Sequence, residues 1–153
     1  MEKVIVITGG SRGIGAATAL LAASQGYRVC INYRSDDAAA RDVLQQVRAL
    51  GVQAIAVRAD VSREDGVFRL FSQVDAELGR VTALVNNAAT NGPKARLDEM
   101  SEQRLLGMMT TNVLGPMLCA KHAVGRMSRR HGGQGGVIVN VSSIAARLGS
   151  ADE

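Results

Sequence analysis

Thr8-Gly9-Gly10-Ser11-Arg12-Gly13-Ile14-Gly15 is the stretch that decides the fold. It stands between Val4-Ile5-Val6-Ile7, an unbroken β-branched run, and an apolar segment from about Ile14 to Gln25. Apolar residues without alternation suit a central parallel strand buried on both faces. Glycines directly after such a strand permit a tight turn and a close approach of backbone to pyrophosphate. The helix that follows turns unpaired N–H groups and a partial positive charge toward the same anion. The unit reads as strand, phosphate-cradling turn and helix, with Gly26 as the helix stop.

The pattern repeats outward. Arg28 to Tyr33 reads as a second strand. Ser35 is placed to cap a helix that buries Val43, Leu44, Val47 and Leu50 and stops at Gly51. Gln53 to Val57 is a third strand. Ser62 begins a capping-box-like Ser-Arg-Glu-Asp, and Val67, Leu70, Phe71, Val74 and Leu78 then fall on one helical face. Val81 to Asn86 is a fourth strand. A loop containing Gly92-Pro93 leads to a long helix from about Ser101 to Arg130, interrupted near Gly115-Pro116. After a glycine-rich turn over His131 to Gly136, Val137 to Val141 is a fifth strand. Alternating strands and helices predict an α/β fold with a doubly wound parallel sheet, three-layer αβα and Rossmann-type, with the first strand near the middle.

Composition narrows the function classes. The 153 residues carry 46% hydrophobic and 21% charged residues, ordinary values for one globular domain. The net charge is +4, yet the basic residues are scattered. Their densest group, Arg126, Arg129 and Arg130, has no interleaved aromatics, which argues against nucleic acid. A basic surface that attracts anionic cofactors explains the charge as well. Cys30 and Cys119 sit far apart in apolar surroundings, as buried small hydrophobes, without disulfide or metal-ligand spacing. Met1-Glu2-Lys3 leads straight into a strand, and no apolar run approaches a membrane span, so a cytoplasmic protein is expected.

Further segments carry a resemblance. The glycines are spaced Thr-Gly-x-x-x-Gly-x-Gly rather than G-x-G-x-x-G. Ala59-Asp60-Val61 follows the third strand, and Asn86-Asn87-Ala88-Ala89 ends the fourth. Thr111-Asn112-Val113 lies in the long helix, and Ile138-Val139-Asn140-Val141-Ser142-Ser143 ends the fifth strand. In this order they resemble the short-chain dehydrogenase/reductase family along the whole chain. Ala89 departs from that family's glycine and adds a methyl beside the cofactor. The resemblance implies nicotinamide cofactor binding by Gly9, Ser11, Arg12, Gly13, Ile14, Gly15, Asn32, Tyr33, Arg34, Asp60, Val61, Asn87, Ala88 and Ala89. Asp60 would stand against the adenine.

The end of the second strand reads the adenosine ribose. An NAD-preferring site puts an acid there, about 20 residues beyond the glycines. This chain has Asn32-Tyr33-Arg34, with no acid until Asp36. Arg34 and Arg12 can grip a 2′-phosphate with planar donor forks. NADP(H) is therefore the expected cofactor, with NAD(H) as the second option; two solvated arginines would be the plain alternative.

The family's chemistry, by resemblance, is hydride transfer between the cofactor and an alcohol or ketone substrate. A tyrosine supplies the proton, a lysine lowers its pKa, a serine holds the substrate oxygen and an asparagine keeps a relay water. Ser143 is the candidate serine, since strand alternation lets only one of Ser142 and Ser143 face the cleft. Asn112 is the candidate asparagine; a helix-kink residue bonded to backbone is the bland reading. No Tyr-x-x-x-Lys occurs, Tyr27 and Tyr33 come too early, and His122 and His131 read as helix-face or surface residues. Residues 1–153 are thus expected to be one NAD(P)-binding domain, incomplete at its C-terminal end, of an enzyme that forms a homodimer or homotetramer when whole. The rivals are an NADP(H)-binding sensor or scaffold without turnover, and an interaction module using Met108, Met109, Met117 and Met127.

Overall fold

The computed structural model describes residues 3–149. Met1 and Glu2, and the tail at 150–153 on which the expectation of an interrupted chain rests, lie outside the described residues. Five strands, β1 (Val4–Ile7), β2 (Arg28–Tyr33), β3 (Ala54–Arg58), β4 (Ala83–Asn86) and β5 (Val137–Asn140), form one sheet in the order β3-β2-β1-β4-β5. Every pairing is parallel, and β1 is central, registered through Ile5 opposite Val29 on one side and Ala83 on the other. The helices are α1 (Gly13–Ser24), α2 (Asp37–Ala49), α3 (Glu64–Glu77), α4 (Glu102–Met109), α5 (Gly115–Met127) and α6 (Ala145–Leu148).

The unbroken apolar strands are explained by two cores, one on each face. Val6, Cys30, Val57 and Leu84 point to α3 and α5, where Val67, Leu70, Phe71, Val74, Cys119 and Met127 are buried. Ile5, Ile7, Val29, Ile31 and Val85 point the other way, onto Ala19, Ala22 and Ala23 of α1 and Val43 and Val47 of α2. Alanines on α1 let the helix lie close to the sheet. At the β5 edge, Ile138 packs into the first core, while Val137 and Val139 are 52% and 47% exposed on the opposite face.

Several expectations are corrected. Asp36, not Ser35, caps α2, its carboxylate accepting from Ala39 N at 3.0 Å. Ser62 does not open a capping box; it is itself bonded to Asp60, whose Oδ1 accepts from Ser62 N at 2.9 Å and from its hydroxyl at 2.7 Å. Leu50, past the last turn of α2, is 48% exposed. The interruption expected near Gly115-Pro116 is present, as a π-helical turn over Thr110–Leu114 that joins α4 to α5. Pro116 has no N–H to give the Asn112 carbonyl, so a regular α-turn cannot be completed there and the chain widens. β5 ends at Asn140, so both serines follow the strand and alternation does not choose between them.

Candidate functional site: a nucleotide cleft at the carboxyl ends of the strands

The cleft begins with how the glycine turn is held. Gly9 adopts φ +62°, a conformation side chains rarely take, and a Cβ there would stand 2.9 Å from the Ala88 Cα. Gly15 faces the turn from α1, and a Cβ on it would collide with the Gly9 carbonyl oxygen and the Asn87 amide. Thr8, almost wholly buried, ties β1 to the end of β4: its Oγ1 accepts from Asn87 N and Ala88 N, both at 3.0 Å. Asn87 returns the tie, Nδ2 donating to Thr8 O at 2.9 Å and Gly9 O at 3.0 Å. Asn32 braces the other side. Its Nδ2 donates to Ala59 O at 2.9 Å and Val57 O at 3.3 Å, and its backbone carbonyl accepts from Gly10 N at 2.8 Å.

These ties enclose a hollow of about 320 Å³. Gly9, Ser11, Arg12, Asn32, Tyr33 and Arg34 line one side, and Asp60, Val61, Asn87, Ala88 and Ala89 the other. All eleven were expected from the sequence. Gly13, Ile14 and Gly15 do not line it but form the first turn of α1, with Ile14 64% exposed beside it. Ser35, Asp36, Ala59, Thr90 and Thr111 also line the hollow and were missed. The available signal was adjacency, since each continues a motif already recognised.

The charged groups in the cleft are unequally engaged. Arg12 and Arg34 have no side-chain hydrogen bond or ion pair among the described residues. Both carboxylates are already engaged, Asp36 on α2 and Asp60 on Ser62. The α1 N-cap, Arg12, makes no side-chain capping bond, so the first N–H groups of α1 are left for a ligand. Tyr33 turns its hydroxyl away, donating to Asp37 at 2.8 Å. That bond, then burial and the Asp37 charge, raise the phenol pKa. A mostly preformed cradle with free N–H groups and two free guanidiniums fits a dinucleotide pyrophosphate and a second phosphate.

The profile of the short chain dehydrogenase family matches residues 3–152. The chain belongs to the short-chain dehydrogenase family. It is 43% identical to an uncharacterized oxidoreductase, YgfF, of Escherichia coli K12, over 98% of this chain and 61% of the relative. It is 40% identical to the cis-4-hydroxycyclohexanecarboxylate dehydrogenase of Sinomonas cyclohexanicum, over 99% of this chain and 59% of the relative. A metagenomic short-chain oxidoreductase solved in complex with NADP superposes with a TM-score of 0.88 at 33% identity, covering 98% of this chain and 66% of that one. The chain thus spans about three fifths of the length of the curated relatives it matches. Its Rossmann-like parallel sheet is that of the family's solved members.

Two residues expected in the family's chemistry lie outside the hollow. Asn112 sits in the π-turn with its amide spent on one residue: Oδ1 accepts from Thr90 N, and Nδ2 donates to Thr90 O, both at 2.8 Å. Ser143 follows β5, exposed, its Oγ accepting from Ala145 N at 3.2 Å at the start of α6. Thr90 links Asn112 to the cleft, since it lines the hollow and holds the Asn112 amide. Among the described residues, no helix is long and apolar enough to cross a membrane.

Proposed function

We propose that the whole protein is an NADP(H)-dependent oxidoreductase acting on a small alcohol or ketone, and that residues 1–153 are the cofactor-binding part of its single Rossmann-type domain. The observation that carries the cofactor choice is the pair of unpaired guanidiniums, Arg12 and Arg34, in the nucleotide cleft, with Asp36 and Asp60 both engaged. Gly9, Ser11, Gly13, Ile14 and Gly15 hold the pyrophosphate at the α1 N-terminus, and Arg12 and Arg34 take the 2′-phosphate. Tyr33 and Asn32 build the floor rather than bond the ligand with their tips. Asp60, Val61, Asn87, Ala88 and Ala89 flank the adenine and ribose.

The bound nicotinamide supplies or accepts hydride. Ser143 orients the substrate oxygen once its hydroxyl turns toward the cleft. Asn112 contributes through its backbone: its side-chain amide is committed to Thr90, and its carbonyl, which Pro116 cannot serve as α-helical donor, is the group to hold a relay water. The proton comes from a tyrosine beyond these residues, in the Tyr-x-x-x-Lys of the family. The buried free thiols Cys30 and Cys119 suit a reducing cytoplasm. An apolar stripe along α4 and α5, through Leu106, Met109, Val113, Met117 and Val124, supports a homodimer or homotetramer.

The test is calorimetric binding of NADP+ and NAD+ to the whole protein and to Arg34→Ala. NADP+ should bind more tightly, and the variant should lose about tenfold for NADP+, as for one charge-assisted bond at an exposed site. NAD+ affinity should be unchanged. Equal affinity for the two dinucleotides in the unmodified protein would sink the NADP(H) assignment.

A further inference from the structure

A second hollow, of about 470 Å³, opens beside the nucleotide cleft. Arg34, Thr90 and Thr111 form the wall common to the two. The far side is built from α4 and the loop carrying Gly92. Two arginines line it, Arg34 and Arg104, and no carboxylate does. Elsewhere Arg58, Arg63, Arg96 and Arg126 each meet an aspartate within 3.7 Å. Arg104 instead donates one terminal nitrogen to Asn91 O at 3.2 Å, and its solvent-shielded Nε has no partner. Gly92 packs against that guanidinium, where a Cβ would stand 3.2 Å from Nε. The arginine is thereby placed without being neutralised.

The remaining lining is rich in unused donors. The hydroxyls of Thr90 and Thr111 and the amide of Gln103 make no hydrogen bond among the described residues. Ser101 Oγ accepts from Arg104 N at 3.3 Å and keeps its own proton to give. Asp60 stands on the cleft side, bonded to Ser62. Two cationic forks and several neutral donors without a carboxylate are complementary to a tetrahedral oxyanion.

We propose that this hollow is a phosphate site separate from the one for the cofactor's 2′-phosphate, taking inorganic phosphate or the phosphate of a small ester. It rests on the nucleotide reading only in that Arg34 borders both hollows. The two sites have private residues. Arg12 lines the cleft alone, whereas Arg104 and Gly107 line the second hollow alone. Gly107 has open space where a Cβ would stand, so the backbone there accepts a side chain and Gly107→Glu adds a carboxylate beside the hollow.

The experiment is equilibrium dialysis of radiolabelled inorganic phosphate against the whole protein, in buffer free of other oxyanions. Alongside run Arg12→Ala, Arg104→Ala and Gly107→Glu, with NADP+ affinity measured on each. Arg104→Ala and Gly107→Glu should weaken phosphate by about tenfold or more, and Arg12→Ala by less than about twofold, with the reverse order for NADP+. Displacement by glycerol phosphate then separates the sources. Tighter binding of the ester assigns the site to organic phosphates, and tighter binding of the inorganic ion to free phosphate; each supports the site. No saturable phosphate binding, or a loss that follows Arg12 alone, overturns it. If phosphate follows Arg104 and Gly107 while NADP+ fails to bind, the nucleotide reading falls and the phosphate site stands.

Discussion

Thr8→Val tests how the cleft is held together. Valine keeps the shape of threonine and removes only the hydroxyl. That oxygen accepts from two backbone N–H groups, Asn87 and Ala88, each at 3.0 Å, and donates a long bond to Val85 O at 3.4 Å. A buried donor left without an acceptor costs about 1–3 kcal/mol. Asn87 and Ala88 are half-buried, which puts each at the low end. The expected loss is about 2 kcal/mol in all, or about 4–8 °C in Tm for a chain of this size. Thr8→Ser is the control, because it keeps the hydroxyl and loses one methyl, about 0.8 kcal/mol.

Urea unfolding of the whole protein measures the stability difference, and calorimetry with NADP+ measures its consequence. Asn87, Ala88 and Ala89 form one wall of the cleft. Thr8→Val should therefore weaken NADP+ binding beyond what Thr8→Ser does. A valine variant as stable as the unmodified protein, or a serine variant equally damaged, would refute the clamp.

Other expectations follow from single contacts. Gly15→Ala should abolish measurable cofactor binding in a fluorescence titration, because its Cβ would meet the Gly9 carbonyl and the Asn87 amide. Gly125→Ala, on α5 with open space around it, should instead raise stability by about 1 kcal/mol in urea unfolding. His122 stacks on Phe71 with ring centroids 5.6 Å apart, and burial, then Arg126 and Lys121, lower its pKa. The unfolded chain then binds the proton more readily. Its contribution to stability should be full above about pH 6.5 and fall as the pH drops toward the lowered folded value. His122→Gln should flatten that slope in unfolding curves taken from pH 8 to 5, and an unchanged slope would count against it. Burial pushes the Cys119 thiol up to about 12 and raises that of Cys30 as well. Neither should react with iodoacetamide at pH 8 until the protein is unfolded, as read by intact mass.

Much of the fold was legible because its signals are local. Val4-Ile5-Val6-Ile7 can be buried on both faces only as an inner strand, and β1 is the central one. The spacing of Val67, Leu70, Phe71, Val74 and Leu78 gives one helical face, and all five are buried. The cleft was legible for the same reason, since parallel strands deliver the loops at their carboxyl ends to one edge. Eleven expected residues from separate segments meet around a single hollow.

Where neighbours offered equal local merits, tertiary structure chose. Ser35 and Asp36 are both good caps, and the exit of the chain from β2 gave the role to Asp36. Ser62 had the spacing of a cap, but Asp60, placed at the end of β3, took its hydroxyl. Leu50 fitted the apolar stripe of α2, yet the helix ends at Ala49 and leaves Leu50 as its half-exposed C-cap. The π-turn at Asn112 came from Pro116 together with a side-chain amide that reaches from the turn to Thr90. By itself the sequence determined the order of elements, the parallel sheet and the phosphate-cradling turn, because periodicity and glycine geometry act within a few residues. Which carboxylates are engaged, which guanidiniums stay free and which hydroxyls face the two hollows was decided only by the folded chain, because those properties depend on partners many residues away.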